Sequence, residues 1–362
     1  MLYNPERIYV DSQVLNLQFC TNILHKYADV EQIIIDSPDE IPELSDADFS
    51  ITRGKRVLYL KRYQGSAFKL CPGFSLDVLC CNYYVIDLIE NCPLECAYCI
   101  LQAFLNKPFI IFHLNVEEII EQTLSTIERN PSQPFRVGTG EHSDSLALDH
   151  IFQVNPYLVE TFSALPNAML ELKTKTDLIE PLRGLNHKGR TAVAWSLNPH
   201  EIIEQIELKT APLEKRLQAS ACLVSEGYKV AFHFDPLIYY PNWRTGYAQT
   251  IEMMFDYVSP RHIAWISLGT LRYIPILKQI AEERFPHISI FCNEFIAASD
   301  GKMRYLKKIR KELLQTVSGL IRKGGPGIPL YLCMEKHSVW DDMMTVHPAN
   351  AEALEKYLKS NV

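Results

Sequence analysis

Short apolar runs alternate with amphipathic stretches along most of this chain. Runs rich in β-branched and aromatic residues predict strands, and stretches with apolar residues every three or four positions predict helices. The predicted strands are Tyr83–Ile89, Phe135–Gly138, Ala168–Lys173, Thr191–Leu197, Lys229–Asp235 and His262–Leu268, and the helices include Val116–Arg129, Pro212–Glu226 and Thr245–Tyr257. This alternation predicts βαβ units around a parallel sheet, so we expect an α/β fold with a partial (β/α)6 barrel.

The two ends of the chain lack this regular alternation. We expect residues 1–80 to form an irregular N-terminal extension, residues 81–285 the barrel, and residues 286–362 a helical, basic C-terminal region. Within that last region, Lys302–Lys323 carries eight lysines and arginines against one acid, Glu312. Such a segment either neutralises phosphates or forms a solvated helix face.

Composition favours an intracellular enzyme. Apolar residues make up 47% of the 362 residues, enough for a sizeable core, and the net charge of −7 gives no overall attraction to nucleic acid. The ten cysteines accompany no signal peptide, which favours reduced thiols in a cytoplasm over disulfides. The longest apolar run, near Phe109–Phe112, is too short to cross a membrane.

The most informative motif is a cysteine triplet directly after the first predicted strand. Cys92, Cys96 and Cys99 have CxxxCxxC spacing. Iron–sulfur clusters are normally held by four thiolates, so three at this spacing predict a [4Fe–4S] cluster with one iron open for chemistry. The alternative is a structural zinc site, whose fourth ligand would come from Cys71, Cys80, Cys81 or His142.

The spacing resembles the signature of the radical S-adenosylmethionine (SAM) superfamily, in which the open iron binds SAM. The resemblance implies reductive cleavage of SAM to a 5′-deoxyadenosyl radical, with Tyr98 near the adenine. Gly138, Gly140 and Glu141 match the glycine-rich segment that contacts the SAM amino group. Functional groups of barrels lie at the C-terminal ends of strands, so we expect Lys175 and Ser196 at the same mouth, for the SAM carboxylate and ribose.

Further motifs resemble, more narrowly, the spore photoproduct lyase family. They are Cys71-Pro-Gly73, Cys80-Cys-Asn-Tyr83, Trp195-Ser-Leu-Asn198, Pro212-Leu-Glu-Lys-Arg216, Ser267-Leu-Gly-Thr-Leu-Arg272, Asp300-Gly-Lys-Met-Arg-Tyr305 and Tyr331-Leu-Cys-Met-Glu335. The resemblance implies repair of a methylene-bridged thymine dimer in DNA, which must be extruded to reach a buried radical. It also implies DNA contacts through Lys302–Lys323 and an electron donor such as a flavodoxin or ferredoxin.

Two positions depart from the pattern of that family. Glu141 stands where the family has a hydrogen-donor cysteine, and a carboxyl O–H bond is too strong to replace S–H. Ile100 stands where a tyrosine follows the third cluster cysteine. Cys222, Cys292 and Cys333 are the remaining candidate donors, with Cys333 the first to inspect, although a buried small hydrophobe is the simpler interpretation.

These observations leave three hypotheses. The leading one is a [4Fe–4S]/SAM enzyme of the spore photoproduct lyase family with an altered hydrogen donor. The second is a radical SAM enzyme of the same family that acts on a different, non-lesion substrate. The third is a nonenzymatic, metal-dependent DNA-binding protein that holds zinc instead of iron.

Overall fold

A curled sheet of eight strands forms the centre of the fold. The computed structural model describes residues 2–44, 50–71, 78–344 and 347–358. Its strands are β1 (Arg7–Asp11), β2 (Glu31–Ile35), β3 (Val57–Lys61), β4 (Phe68–Leu70), β5 (Tyr83–Ile86), β6 (Ile89–Glu90), β7 (Glu95–Cys96), β8 (Ile110–His113), β9 (Phe135–Gly138), β10 (Ala168–Thr174), β11 (Thr191–Ser196), β12 (Glu207–Leu208), β13 (Lys229–Leu237), β14 (Ile263–Thr270), β15 (Arg272–Tyr273), β16 (Phe295–Ala297), β17 (Met303–Tyr305) and β18 (Leu330–Leu332). The α-helices are α1 (Gln18–Lys26), α2 (Ile51–Gly54), α3 (Leu101–Phe104), α4 (Val116–Glu128), α5 (Asp149–Phe152), α6 (Val154–Ser163), α7 (His200–Ile206), α8 (Leu213–Ser225), α9 (Trp243–Tyr257), α10 (Pro275–Arg284), α11 (Lys307–Gly324), α12 (His337–Met343) and α13 (Ala351–Leu358).

The strand order of the central sheet is β18-β14-β13-β11-β10-β9-β5-β4, and all neighbours are parallel except β4 and β5. This confirms the partial barrel, because the six predicted strands correspond to β5, β9, β10, β11, β13 and β14. Every residue of β11 and β14 is buried, as expected for parallel strands covered on both faces. The seventh parallel strand, β18, was not predicted because only three residues form it.

The first barrel strand ends earlier than the sequence pattern indicates. A strand over Tyr83–Ile89 was expected, but β5 ends at Ile86. The next residue, Asp87, is buried and forms ion pairs with Lys69 and with His142, whose Nδ1 lies 3.1 Å away. Because these partners fix the carboxylate at this point, the chain leaves the barrel sheet and continues into β6 of a second sheet.

The prediction of an irregular N-terminal region was wrong. A second sheet has the order β2-β1-β3-β8-β6, with parallel pairing from β2 to β8. Its alternate residues pack on two sides: Tyr9, Tyr59 and Ile111 belong to a separate small core, while their neighbours join the main core. The pattern was missed because β8 lies far along the chain from β1 and β3.

The C-terminal region is helical and basic, as expected. Helix α11 carries most of the basic segment and buries Leu313, Leu314, Val317 and Ile321 against the molecule. Strand β18 follows α11 and pairs with β14 of the barrel. The division at residues 80 and 285 stays a prediction. No helix in the described ranges is long and apolar enough to cross a membrane.

Leu172 tests the packing of the barrel. Its side chain is fully buried in β10, within the main core. We expect Leu172→Ala to lower the free energy of unfolding by about 2–5 kcal/mol, because it removes buried apolar surface and leaves a cavity. Urea unfolding followed by circular dichroism measures this. The matched control is Ile34→Ala, whose side chain is 59% exposed, and an equal effect of both changes would contradict the assignment.

Candidate active site

The cysteine loop is fixed at its start by the N-terminal sheet. Asn91 has a left-handed conformation (φ 70°), and its amide donates to the carbonyl of Pro108 at 2.8 Å. The side-chain oxygen of Asn91 accepts from the N–H of Cys92 at 2.8 Å. Asparagine tolerates positive φ better than most residues, so this single side chain sets the direction in which the loop leaves β6.

The other side of the loop is fixed by a short antiparallel pairing. Strand β7 pairs with β12, which places Cys96 opposite Glu207. Tyr98 then donates its hydroxyl hydrogen to the Glu207 carboxylate, and Asn198 donates to the same oxygen at 2.9 Å. Arg216 completes the arrangement, with Nη2 2.7 Å from the second carboxylate oxygen. The aromatic ring of Tyr98 is therefore held by a buried ion pair.

Three thiols lie together in this loop. Cys92 and Cys96 are buried and Cys99 is half-buried. Cys92 and Cys99 pack with Leu94, Leu101, Leu105 and Ala147, whereas Cys96 lies in β7 opposite Glu207. Burial raises the pKa of Cys92 to about 12 and that of Cys96 well above its usual value. Among the described residues, no three or more His, Cys, Asp or Glu side chains converge as a preformed site for a metal ion.

Lys175 and Ser196 lie side by side at the mouth of the barrel, one step beyond the registered pair Thr174–Trp195. The Lys175 ammonium lies 5.9 Å from the centroid of the Tyr98 ring. Ser196 is buried, and its carbonyl accepts from Arg216 at 2.8 Å. The structure thus brings Tyr98, Lys175 and Ser196 together around the Glu207–Arg216 pair.

Asp144 ties the loop after β9 to the end of β10. One carboxylate oxygen accepts from the N–H groups of Leu146 and Ala147 at 3.0 and 2.9 Å, and from the Thr174 hydroxyl at 2.8 Å. The other oxygen accepts from the Lys175 N–H at 2.7 Å. Such a fully satisfied buried carboxylate rigidifies its surroundings, so it fixes the backbone that carries Lys175.

The glycines after β9 are required by tight packing. A Cβ on Gly138 would overlap the phenol of Tyr83, and one on Gly140 would lie 2.9 Å from the Cβ of Lys173. Gly138 therefore makes room for Tyr83 in this structure. Glu141 is half-buried and lines the cavity beneath the mouth, on the side of Lys173.

That cavity has a volume of about 150 Å³ and lies inside the barrel. Charged and thiol side chains form much of its lining: Arg136, Glu141, Glu171, Lys173, Asp235, Arg272, Cys71, Cys80, Cys81 and Cys333. Within the described ranges, the buried hydroxyl of Tyr83 and Nη1 of Arg136 have no hydrogen-bond partner. Buried polar groups are rarely left unpaired, so these atoms indicate a ligand or water in the cavity.

Polar networks order the walls of the cavity. His233 bridges Glu171 at 2.7 Å and Ser267 at 2.5 Å. Burial opposes ionisation of Glu171, but Arg136 and His233 outweigh it and hold the pKa of Glu171 at about 2. Burial lowers the pKa of His233, so its neutral ring donates from Nε2 to the carboxylate and accepts at Nδ1 from Ser267.

A second ion pair, between Arg272 and Asp235, forms another part of the cavity wall. Arg272 forms two hydrogen bonds with the Asp235 carboxylate, at 2.8 and 3.1 Å. Lys173 has no ion pair within 4 Å in the described part of the chain, and its ammonium lies 5.6 Å from the Tyr83 ring centroid. Burial opposes its charge, but the nearby Glu171 and Glu141 raise the pKa of Lys173, so the ammonium stays protonated.

Sequence reasoning missed the residues that hold the site. Asn198 and Arg216 are part of motifs that indicated the family, yet no role was assigned to them. No sequence motif marked Glu207, since its position depends on the pairing of β12 with β7, which is distant in the sequence. His233 lies in the predicted strand Lys229–Asp235, and the sequence did not decide between a site residue and a core histidine. In the Cys71-Pro-Gly73 motif, Pro72 and Gly73 lie outside the described residues.

A family model described as spore photoproduct lyase matches residues 3–311. The chain belongs to the spore photoproduct lyase family. The enzyme of that name from Bacillus subtilis (strain 168) is 27% identical over 215 residues, 58% of this chain and 63% of that protein. The one from Geobacillus sp. (strain Y412MC61) is 26% identical over 257 residues, 67% of this chain and 74% of that protein. The aligned part thus spans less than two thirds of the Bacillus protein.

Solved structures of this family have the same fold. A mutant of spore photoproduct lyase superposes with a TM-score of 0.81 at 21% identity and covers 92% of this chain and 99% of its own. A double mutant with bound AdoMet and dinucleoside spore photoproduct gives a TM-score of 0.80 at 21% identity, with the same coverage. The family resemblance and the partial barrel are therefore confirmed.

The contact between Gly138 and Tyr83 can be tested by substitution. We expect Gly138→Ala to lower the free energy of unfolding by about 1–3 kcal/mol, because the added Cβ displaces Tyr83. The control is Gly319→Ala within α11, where the new Cβ meets nothing within 4 Å; removing a helix glycine stabilises by about 0.5–1 kcal/mol. Thermal unfolding of both variants measures this effect. An unchanged free energy of unfolding for Gly138→Ala would contradict the described contact with Tyr83.

Proposed function

We propose that this protein is a radical SAM enzyme that acts on a spore-photoproduct-type thymine lesion in DNA. The observation that carries the proposal is the loop with Cys92, Cys96 and Cys99 in a barrel of this family, whose cavity is lined by Tyr83 and Arg136. The donor set fits an iron–sulfur cluster, since Cys92, Cys96 and Cys99 are thiols of one rigid loop. When bound, the cluster and SAM supply a 5′-deoxyadenosyl radical that abstracts hydrogen from the substrate.

The residues around the mouth suit SAM in both shape and charge. We assign Tyr98 to the adenine side, Lys175 to the carboxylate, and Ser196 to the ribose or carboxylate. We assign Gly138 and Gly140 to the backbone segment beside the SAM amino group. The carboxylate of Glu141 accepts from the ammonium of SAM. Supporting this assignment, the Glu207–Arg216 pair holds Tyr98 and Ser196 within one network.

The cavity supports a base-sized substrate with hydrogen-bond acceptors. Thymine carbonyl oxygens would satisfy Tyr83 Oη and Arg136 Nη1, which lack partners in the described structure. A lesion must leave the DNA stack to reach such a buried site, and extrusion costs less for a damaged base. A relative of this chain has been solved with dinucleoside spore photoproduct.

A second function is favoured by the charges of the cavity. Four charged side chains, Lys173, Arg272, Asp235 and Glu141, line this cavity, although a thymine base is uncharged. This suits a non-lesion substrate with charged groups, handled by the same radical chemistry. The proposed replacement of the family's donor cysteine by Glu141 points the same way. Repair activity on the lesion separates the two functions.

DNA binding through Lys302–Lys323 is part of the proposal. Five of its basic residues already form ion pairs: Lys302 and Arg304 with Asp300, Lys307 and Lys311 with Asp342, and Arg310 with Glu335. The two pairs with Asp342 are exposed and therefore weak, so phosphates compete for Lys307 and Lys311, whereas the side chains of Arg304 and Arg310 are mostly buried in their pairs. Lys308 and Lys323 are exposed and have no ion pair within the described ranges. We further propose an electron donor of the flavodoxin or ferredoxin type.

The cluster assignment predicts a shared effect of three substitutions. Replacing Cys92, Cys96 or Cys99 by alanine removes a thiolate from iron, so we expect loss of the brown colour, of bound iron and of SAM cleavage. Anaerobic reconstitution, elemental analysis and 5′-deoxyadenosine measurement after dithionite reduction test this. The control is Cys292→Ala, which removes an exposed thiol. Zinc instead of iron, or SAM cleavage by the alanine variants, would refute the assignment.

The substrate is tested in the same preparation. We expect the reconstituted protein to convert an oligonucleotide carrying the spore photoproduct into restored thymines, measured by mass spectrometry. 5′-Deoxyadenosine without restored thymines would reject the lesion and favour the second function.

The basic segment predicts a salt-dependent effect. Lys308→Ala combined with Lys323→Ala removes two cations, so we expect weaker binding of lesion-containing duplex and a salt slope lower by about one to two. Fluorescence anisotropy between 50 and 200 mM salt measures the slope. Lys278→Ala on α10 removes a lysine that pairs with Glu282 in its own helix and serves as the control. Equal salt slopes for the double variant and the Lys278→Ala control would exclude α11 from the DNA contact.

A further inference from the structure

The cavity holds a set of thiols that is separate from the three cysteines of the loop. Cys71, Cys80, Cys81 and Cys333 all line it. Among the three candidate donors left by the sequence, only Cys333 does so, because Cys222 and Cys292 are absent from the lining. Any thiol that reacts with a substrate in this cavity must therefore belong to these four.

Hydrogen-atom donation requires a thiol that still carries its hydrogen. Cys81 does not meet this condition, since Nη2 of Arg136 lies 2.8 Å from its sulfur. The hydrogen bond from Cys80, and then the charge of Arg136, lower the pKa of Cys81 to about 6, although burial opposes them. Cys80 keeps its hydrogen, since its pKa is raised, but that hydrogen is donated to the Cys81 sulfur. Cys80 and Arg136 therefore favour the thiolate form of Cys81.

Cys333 is held differently. It follows β18 directly, and its N–H donates to the carbonyl of Leu268 at 2.7 Å, which fixes the residue at the mouth end of the sheet. Its sulfur lies 3.6 Å from Nη2 of Arg272, next to the Asp235 carboxylate. Burial and Asp235 raise the pKa of Cys333 well above its usual value, so the thiol keeps its hydrogen.

We propose that Cys333 is the hydrogen-atom donor of this protein and takes over the role that Glu141 cannot perform. This inference rests on the proposed function. In the step, the S–H bond of Cys333 breaks homolytically, and its hydrogen atom forms a C–H bond on the carbon that carries the unpaired electron of the product radical. The unpaired electron remains on the Cys333 sulfur. No proton, oxidant or reductant enters the step, so a single turnover is enough to observe it.

The Asp235–Arg272 pair positions this thiol. The carboxylate accepts from the thiol side, and the guanidinium contacts the sulfur from the other. Both side chains come from the ends of adjacent strands, β13 and the segment after β14. The donor is therefore held on the opposite wall from Glu141, which follows β9.

The test is a single-turnover reaction in D2O with the reconstituted holoenzyme and dinucleoside spore photoproduct. Thiol hydrogens exchange with solvent, so the unmodified protein should place one deuterium in the restored thymine. Cys333→Ala and Cys333→Ser should both lower the yield of deuterated thymine at least about tenfold. SAM cleavage precedes the step, so 5′-deoxyadenosine should form in the first turnover as in the unmodified protein.

The Cys333→Ser variant distinguishes hydrogen-atom donation from a structural role of this side chain. Cys333→Ser keeps a small polar side chain for Arg272 and Asp235, so it would restore a merely structural role, but its O–H bond is too strong to donate a hydrogen atom. Restoration of deuterium transfer by serine, or normal transfer in Cys333→Ala, would overturn the inference. Loss of transfer in Cys71→Ala or Cys80→Ala with normal transfer in Cys333→Ala would also overturn it. Cys292→Ala is the control, and it should match the unmodified protein.

A measurement without turnover tests whether the substrate binds in the cavity that these thiols line. Iodoacetamide should modify Cys81 of the holoenzyme at a rate that rises with pH through about 6, because the thiolate forms above its pKa. Dinucleoside spore photoproduct should slow this modification but not that of Cys292. Absence of protection would place the substrate elsewhere and overturn the assignment of Cys333. Absence of restored thymine with the unmodified protein would reject the proposed substrate, whereas normal transfer in Cys333→Ala rejects only the donor.

Discussion

A buried ion pair between Glu207 and Arg216 holds the mouth of this barrel together. The two charged groups lie 2.7 Å apart and both side chains are fully buried. Arg216 donates to the carbonyls of Ser196 and Ala211, while Glu207 accepts from Tyr98 and Asn198. Removal of one partner leaves a buried charge without compensation, which costs about 3–5 kcal/mol. The position of the cysteine loop relative to the strands depends on this pair.

Strand β10 divides the site into two levels. Residues two apart face the same side of a strand, about 6–7 Å from one another. On this face, Glu171 belongs to the deep network with His233, Lys173 reaches the cavity, and Lys175 lies beside Tyr98. One strand thus carries groups for both halves of the proposed reaction. This spacing sets the distance between the proposed SAM side of the site, at Lys175, and the cavity at Lys173.

The sequence predicted those features that local patterns encode. Strands β9, β10 and β11 could be recognised because each is a short apolar run, and the cysteine triplet because its three residues lie in one loop. The N-terminal sheet could not be predicted, since β8 joins β1 and β3 across a long stretch of chain. Glu207 was missed for the same physical reason: its burial depends on the non-local pairing with β7.

Chemical state was the least predictable property of the site. The sequence does not distinguish Cys80, Cys81 and Cys333, yet Arg136 lies 2.8 Å from the Cys81 sulfur, whereas the Cys333 sulfur contacts both Arg272 and Asp235, and burial and Asp235 outweigh Arg272. A guanidinium favours the thiolate and a carboxylate favours the thiol. Only the positions of charged groups from distant strands decide which sulfur keeps its hydrogen. The proposed donor, Cys333, therefore depends on groups from β13 and from the segment after β14, which no local sequence pattern connects with it.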